Sequence, residues 1–179
     1  MNTKSNIYIS NYWWTENYGA TLTAYALQLL VPQSVLCNNK DKISLVRQEK
    51  FDKSFSKNFA KRCLNYTSLL LSYKDYYSLL KNSRIFITGS DQVFRASSLS
   101  SKLYSQNFLD FVEPYQKKIA FSASFAVNKE DFLKETSSNL IEKMKKSLQS
   151  FDFISVREKS GVEICKEVLG VDAEWIIDP

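Results

Sequence analysis

Histidine is missing from this chain altogether, which removes the side chain most often used for proton transfer near neutral pH. Acid/base chemistry falls to carboxylates, lysine or tyrosine, or the chain forms only part of an enzyme. Long apolar runs are missing too: none approaches the roughly 20 residues that a membrane-spanning helix needs. Met1 to Ser10 has neither a long apolar stretch nor a cleavage pattern, so no signal peptide is expected and a cytoplasmic location is. Cysteine is sparse and odd in number, at Cys37, Cys63 and Cys165, with no Cys-x-x-Cys pair. Neither a disulfide framework nor a zinc site is suggested, and the thiols are expected to be reduced. Cys165, at helical spacing from Val162 and Leu169, belongs to a core face rather than to a nucleophile. The glycine-rich loops that cradle dinucleotides and nucleoside triphosphates do not occur. No metal-ligand cluster and no nucleic-acid-binding motif stands out, so neither metal nor nucleic acid is expected as a partner.

What remains is a chain of 179 residues, 44% hydrophobic and 24% charged, sufficient for one sizeable core and a single α/β domain. Its net charge of +5 is compatible with an anionic partner. Ile7 to Ser10, Ile43 to Val46, Arg84 to Thr88, Lys118 to Ser124, Phe153 to Val156 and Trp175 to Ile177 have strand character. Between them, Ala20 to Val31, Lys129 to Leu148 and Glu158 to Leu169 have helical spacing, with Pro32 and Gly170 as stops. Alternating strands and helices predict a mostly parallel sheet covered by helices on both faces. Lys117-Lys118, just before a strand, predicts a charged sheet edge.

Residues 51–82 differ from the rest. Phe51, Phe55 and Phe59 recur every four residues, with Lys53, Lys57 and Lys61 on a neighbouring face. One or two amphipathic helices are expected, forming a helical basic insertion in the domain. Either the phenylalanines pack on the sheet and the lysines are solvated, or the basic aromatic face over 51–62 rests on an anionic membrane surface.

Three places put chemistry at strand ends. Asn17-Tyr18-Gly19-Ala20 follows the first strand and opens a helix, where free N–H groups favour an anion or a polar sugar group; the alternative is a turn with Asn17 as helix cap. Gly89-Ser90-Asp91-Gln92 follows the clearest strand, so Asp91 emerges where open α/β sheets bind ligands and can orient or deprotonate a hydroxyl; the alternative is a capped turn. Ile154-Ser155-Val156-Arg157-Glu158 delivers an arginine at another strand end. Its guanidinium matches phosphate and carboxylate oxygens in a planar fork, and its alternative is a surface ion pair with Glu158. Trp13 and Trp14 flank the first loop; one is expected in the core and the other is a platform for a sugar ring.

These blocks, together with Lys117 to Phe125 and Asp178-Pro179, resemble the polysaccharide pyruvyl transferase family in order and over nearly the whole chain. The resemblance implies a Rossmann-like sheet similar to the N-terminal domain of a two-domain, GT-B type transferase, with the chain continuing beyond Pro179. It also implies transfer of pyruvate from phosphoenolpyruvate to a sugar of a cell-surface polysaccharide, free or lipid-linked, with no cofactor beyond that donor. By resemblance Arg157 binds the donor and Asp91 handles an acceptor hydroxyl. Asn17, Tyr18, Gly19, Ser90, Gln92, Ser124 and Glu158 line the cleft, and a histidine and a lysine come from a C-terminal half. Two departures stand out. Phe94 replaces a frequent tryptophan, and Ala126 replaces a frequent glycine, which should deny that loop a positive φ. A carbohydrate- or partner-binding module without catalysis, or a nucleotide-sugar glycosyltransferase domain, is the competing reading.

Overall fold

The structure is a computed structural model that describes residues 5–15, 17–39, 55–70, 73–81, 83–99 and 101–179. Among the described residues, seven strands form one parallel sheet: β1 (Ile7–Ser10), β2 (Val35–Asn39), β3 (Tyr66–Leu70), β4 (Ile85–Gly89), β5 (Lys117–Ala123), β6 (Phe153–Val156) and β7 (Glu174–Trp175), in the order β3-β2-β1-β4-β5-β6-β7. Parallel neighbours require crossover connections, and helices supply them. The chain runs outward from β1 to β3 and returns to β4, so the order reverses between β1 and β4. In such sheets the crevice at the carboxyl ends beside that reversal is where ligands bind.

Among the described residues, two helices, α1 (Tyr18–Leu30) and α2 (Phe55–Cys63), cover one face. Their Ala24, Leu27 and Ala60 pack with Ile9, Leu36 and Ile87 of the sheet. The other face is covered by α3 (Tyr73–Leu80), α4 (Ser101–Asn107), α5 (Lys129–Glu135), α6 (Ser138–Leu148) and α7 (Lys159–Glu163). The turn after α7, Ile164–Leu169, widens to π geometry and stops at Gly170, φ 63°. Phe132, Met144, Leu148, Ile164 and Cys165 pack on Ala120 and Ile154 there, so Cys165 is a core residue as expected. Alternate β-strand residues thus serve both faces, and the α/β sheet with helices on both sides matches the sequence-based expectation. No helix among the described residues is long and apolar enough to cross a membrane.

Several local expectations change. The stretch Phe51 to Leu80 is helix, strand, helix where described. Tyr66–Leu70 pairs in parallel with β2, because sheet contacts outweigh the helical spacing of its neighbours. Val35–Asn39 is a strand not among those expected from sequence, and the expected strand at Ile43 to Val46 lies outside the described residues. Lys129 to Leu148 is two helices, since Ser137 caps the second by accepting from the Leu140 N–H at 3.3 Å. Lys117 and Lys118 are not on a sheet edge: β5 lies between β4 and β6. Lys118 is buried, and Lys117 is paired with Asp152. Both tryptophans are core residues, Trp13 2% and Trp14 4% exposed. The Trp13 indole N–H donates to the Cys37 carbonyl at 3.0 Å, so neither serves as a sugar platform.

Candidate functional site

The carboxyl ends of β4, β5 and β6 converge on one network. β4 ends at Gly89, φ 130°, and Ser90 follows in the left-handed region at φ 53°. The Ser90 N–H donates to the Phe121 carbonyl at 2.7 Å and its buried hydroxyl leans on the same oxygen at 3.3 Å. That turn presents Asp91. The Asp91 carbonyl accepts from the Val93 N–H at 2.7 Å and the Ser124 N–H at 3.0 Å, while the Ser124 carbonyl accepts from Phe94 at 3.0 Å. The loops after β4 and β5 are therefore sewn together, and among the described residues the Asp91 carboxylate accepts from the Gln92 N–H at 2.7 Å.

Arg157 follows β6 directly, its N–H held by the Ala123 carbonyl at 3.0 Å. Its Nε donates to Glu158 Oε1 at 3.0 Å and its Nη1 to Asp178 Oδ2 at 2.7 Å. Glu158 Oε1 also accepts from the Ser124 hydroxyl at 2.6 Å. Burial works against the guanidinium's charge, yet hydrogen bonds and charge from Glu158 and Asp178 prevail and hold its pKa above the ordinary value. The exposed ion pair with Glu158 raised by the sequence becomes a half-buried clamp from two sides. The Arg157 carbonyl accepts from the Trp175 indole at 3.0 Å, which ties β7 to the same point.

Asp91 belongs to this electrostatic group. Burial pushes its carboxyl up from the ordinary value of 3.8; the Gln92 N–H and the Arg157 charge pull it down, and the Asp178 charge pushes it up again. A carboxyl whose folded pKa is raised binds its proton more tightly in the folded state. Its contribution to stability therefore falls as pH rises from 3.8 through the folded value, and stays low above it. Asp91→Asn keeps the acceptor oxygen and removes the charge. It is expected to stabilise the fold at pH 7, with the gain fading in acid; denaturant unfolding at neutral and acid pH measures both.

The structure thus gathers Asp91, Ser124, Arg157 and Glu158, and adds Asp178, a residue of the family-like Asp178-Pro179 pair to which the sequence alone assigns no role. Two carboxylate oxygens here, Glu158 Oε2 and Asp178 Oδ1, are buried and have no hydrogen-bond partner among the described residues. Asn17, Tyr18 and Gly19 stand apart, at the start of α1 beyond β1, three strands from β6 and so about 14 Å away across the sheet. Asn17 caps α1, accepting from the Gly19 N–H at 3.0 Å, which realises the capping alternative. Gln92 accepts from Arg95 at 3.3 Å. Beside the strand-order reversal, Asn11 Oδ1 and Thr88 Oγ1 are buried with no hydrogen-bond partner among the described residues. Neither was singled out in the sequence, because orphaned acceptors have no sequence signature.

Ala126 contradicts its expectation directly: it adopts φ 59°. Its N–H donates to the Ser124 hydroxyl at 3.0 Å, which holds the turn, so the missing glycine leaves the left-handed turn intact. Left-handed geometry costs an L-residue roughly 1–2 kcal/mol, and glycine's extra unfolded entropy offsets part of that. Ala126→Gly is therefore expected to stabilise by about 0.5–1 kcal/mol, read from thermal unfolding.

An open parallel sheet that reverses its strand order and gathers ionisable side chains at its carboxyl edge defines a Rossmann-like α/β domain. A family model described as Polysaccharide pyruvyl transferase matches residues 17–179, and the chain belongs to that family. No curated protein and no solved structure matches it.

Proposed function

We propose that this chain supplies the donor-side half of a phosphoenolpyruvate-dependent pyruvyl transferase acting on a sugar of a cell-surface polysaccharide. The observation that carries the reading is Arg157, clamped by Glu158 and Asp178 at the carboxyl edge with Nη2 left outside both bonds. Membership of the family supplies the reaction class. In the reaction, a proton adds to the donor's methylene carbon and a sugar hydroxyl attacks the neighbouring carbon. The carbon–oxygen bond to phosphate then breaks, and a second hydroxyl loses its proton as it closes the ketal. Arg157 stabilises charge on the departing phosphate, and Asp91, raised in pKa and beside it, accepts or orients an acceptor proton. Asn17, Tyr18 and Gly19, about 14 Å along the same edge, are left to meet a part of the acceptor remote from the reacting hydroxyls.

One guanidinium among three carboxyl groups is too little positive charge for a donor carrying about three negative charges. The remaining cations and a stronger acid come from outside this domain, as the two-domain, GT-B type arrangement of the family resemblance provides. The chain of 179 residues is therefore expected to bind phosphoenolpyruvate weakly and to release no phosphate from it alone. Calorimetric titration and a phosphate-release assay with added glycan check the two halves of that statement. Glycan binding with no donor binding would favour the binding-module reading instead.

A further inference from the structure

The outer side of α1 is built unlike the surface of a solvated helix. Its sequence from Tyr18 to Leu30 contains no charged residue. The inward stripe of Ala20, Ala24 and Leu27 is buried, but Tyr18, Leu22, Tyr25 and Leu29, spaced i, i+4, i+7 and i+11, form a second apolar stripe facing out. Helix α2 covers part of it: the Phe59 ring lies 6.3 Å from Tyr18 and 5.4 Å from Tyr25. The rest is open, with Tyr18 and Leu22 each 41% exposed, Leu29 62% and Phe55 71%. Phe55 extends the stripe from the neighbouring helix, its ring 6.0 Å from Tyr18.

Charge is distributed to match. Helix α2 carries Lys57, Lys61 and Arg62 and no acidic residue. Over residues 40–62 the sequence has eight basic against three acidic side chains. That excess equals the net +5 of the whole chain, so the remaining residues together sum to zero. An uncharged helix with outward leucine and tyrosine beside a basic, phenylalanine-bearing helix has the make-up of an interfacial surface. Apolar side chains enter the acyl boundary while lysine and arginine stay at anionic headgroups.

We infer that the outer face of α1 and α2 docks on an anionic lipid bilayer. Tyr18 connects this face to the carboxyl edge of the sheet, so docking holds that edge near the headgroups, where a lipid-linked sugar acceptor would be presented. The inference goes beyond the transferase reading and does not depend on it, since bilayer binding needs no turnover. Its failure leaves the assignment of Arg157 untouched.

Sedimentation with vesicles tests it. The protein is expected to bind phosphatidylcholine vesicles containing phosphatidylglycerol and to leave pure phosphatidylcholine unbound. Lys61→Glu with Arg62→Glu is expected to weaken binding at least 20-fold, at about fivefold per lost basic residue. Phe55→Ser, at a site too exposed to disturb the fold, is expected to weaken it about tenfold. Lys146→Glu, exposed on the opposite side of the sheet, retains most of the affinity. Absence of binding to anionic vesicles at low salt overturns the inference, and so does binding that ignores Phe55→Ser. An oligonucleotide bound as tightly as the vesicles, with the same dependence on Lys61 and Arg62, marks a general polyanion surface and overturns it as well.

Discussion

Arg157→Lys is expected to weaken phosphoenolpyruvate binding by about 10- to 100-fold, the loss of a charge-assisted fork worth roughly 1.5–3 kcal/mol. Lysine keeps the charge but presents it at one point. It cannot donate at once to Glu158 Oε1, to Asp178 Oδ2 and to a ligand from a fixed plane. The two carboxylates then have no guanidinium to grip, and the lysine, free to turn, pairs with one of them instead of facing the donor. Asp178→Ala should fall between wild type and Arg157→Lys, at about tenfold, because the guanidinium stays but one of its two supports is gone. Titration calorimetry reads both. An Arg157→Lys protein with unchanged donor affinity would remove the arginine from the site, whatever the family.

Much of this arrangement was legible in the sequence, because strand ends can be read from short patterns. Ile85 to Thr88 is an apolar run closed by Gly89, and Phe153 to Val156 is closed by a charged pair, so Asp91 and Arg157 could be placed on one edge before any coordinate. The clamp was only half legible. Glu158 is the next residue, whereas Asp178 reaches Arg157 from 21 positions away, after α7, the π-helical turn and β7, and no local pattern encodes that return. Strands β2 and β3 failed for a different reason. Val35–Asn39 ends in two asparagines and Tyr66–Leu70 stands among lysine and aromatic residues at helical spacing. Each is a strand because its neighbour offers a parallel ladder, which is tertiary information. Ala126 shows the converse: residue type predicted a forbidden conformation, and the Ser124 hydroxyl holds the alanine there regardless.

Gly89→Ala is expected to be the most damaging substitution for the fold. A β-carbon at this position would stand 2.1 Å from the Phe121 carbonyl oxygen and 2.9 Å from its carbon. Both are backbone atoms of a strand hydrogen-bonded on each side. Neither can turn away as a side chain would. Relief requires β4 and β5 to separate locally, which breaks the Ser90 N–H bond to Phe121, and the alanine must also hold φ 130°, a region that L-residues rarely adopt. Together these cost on the order of 4 kcal/mol or more, a large part of a stability of roughly 5–15 kcal/mol. The midpoint of thermal unfolding should fall by about 10 °C or more, at ~2–4 °C per kcal/mol for a chain of this size. Gly19→Ala is the control, since its β-carbon would meet only the Asn17 side-chain oxygen at 3.3 Å, and alanine is the better helix former. It should shift stability by less than ~0.5 kcal/mol. A Gly89→Ala protein as stable as Gly19→Ala would mean that β4 and β5 are not packed as described. The turn that carries Asp91 into the site would then have to be redrawn.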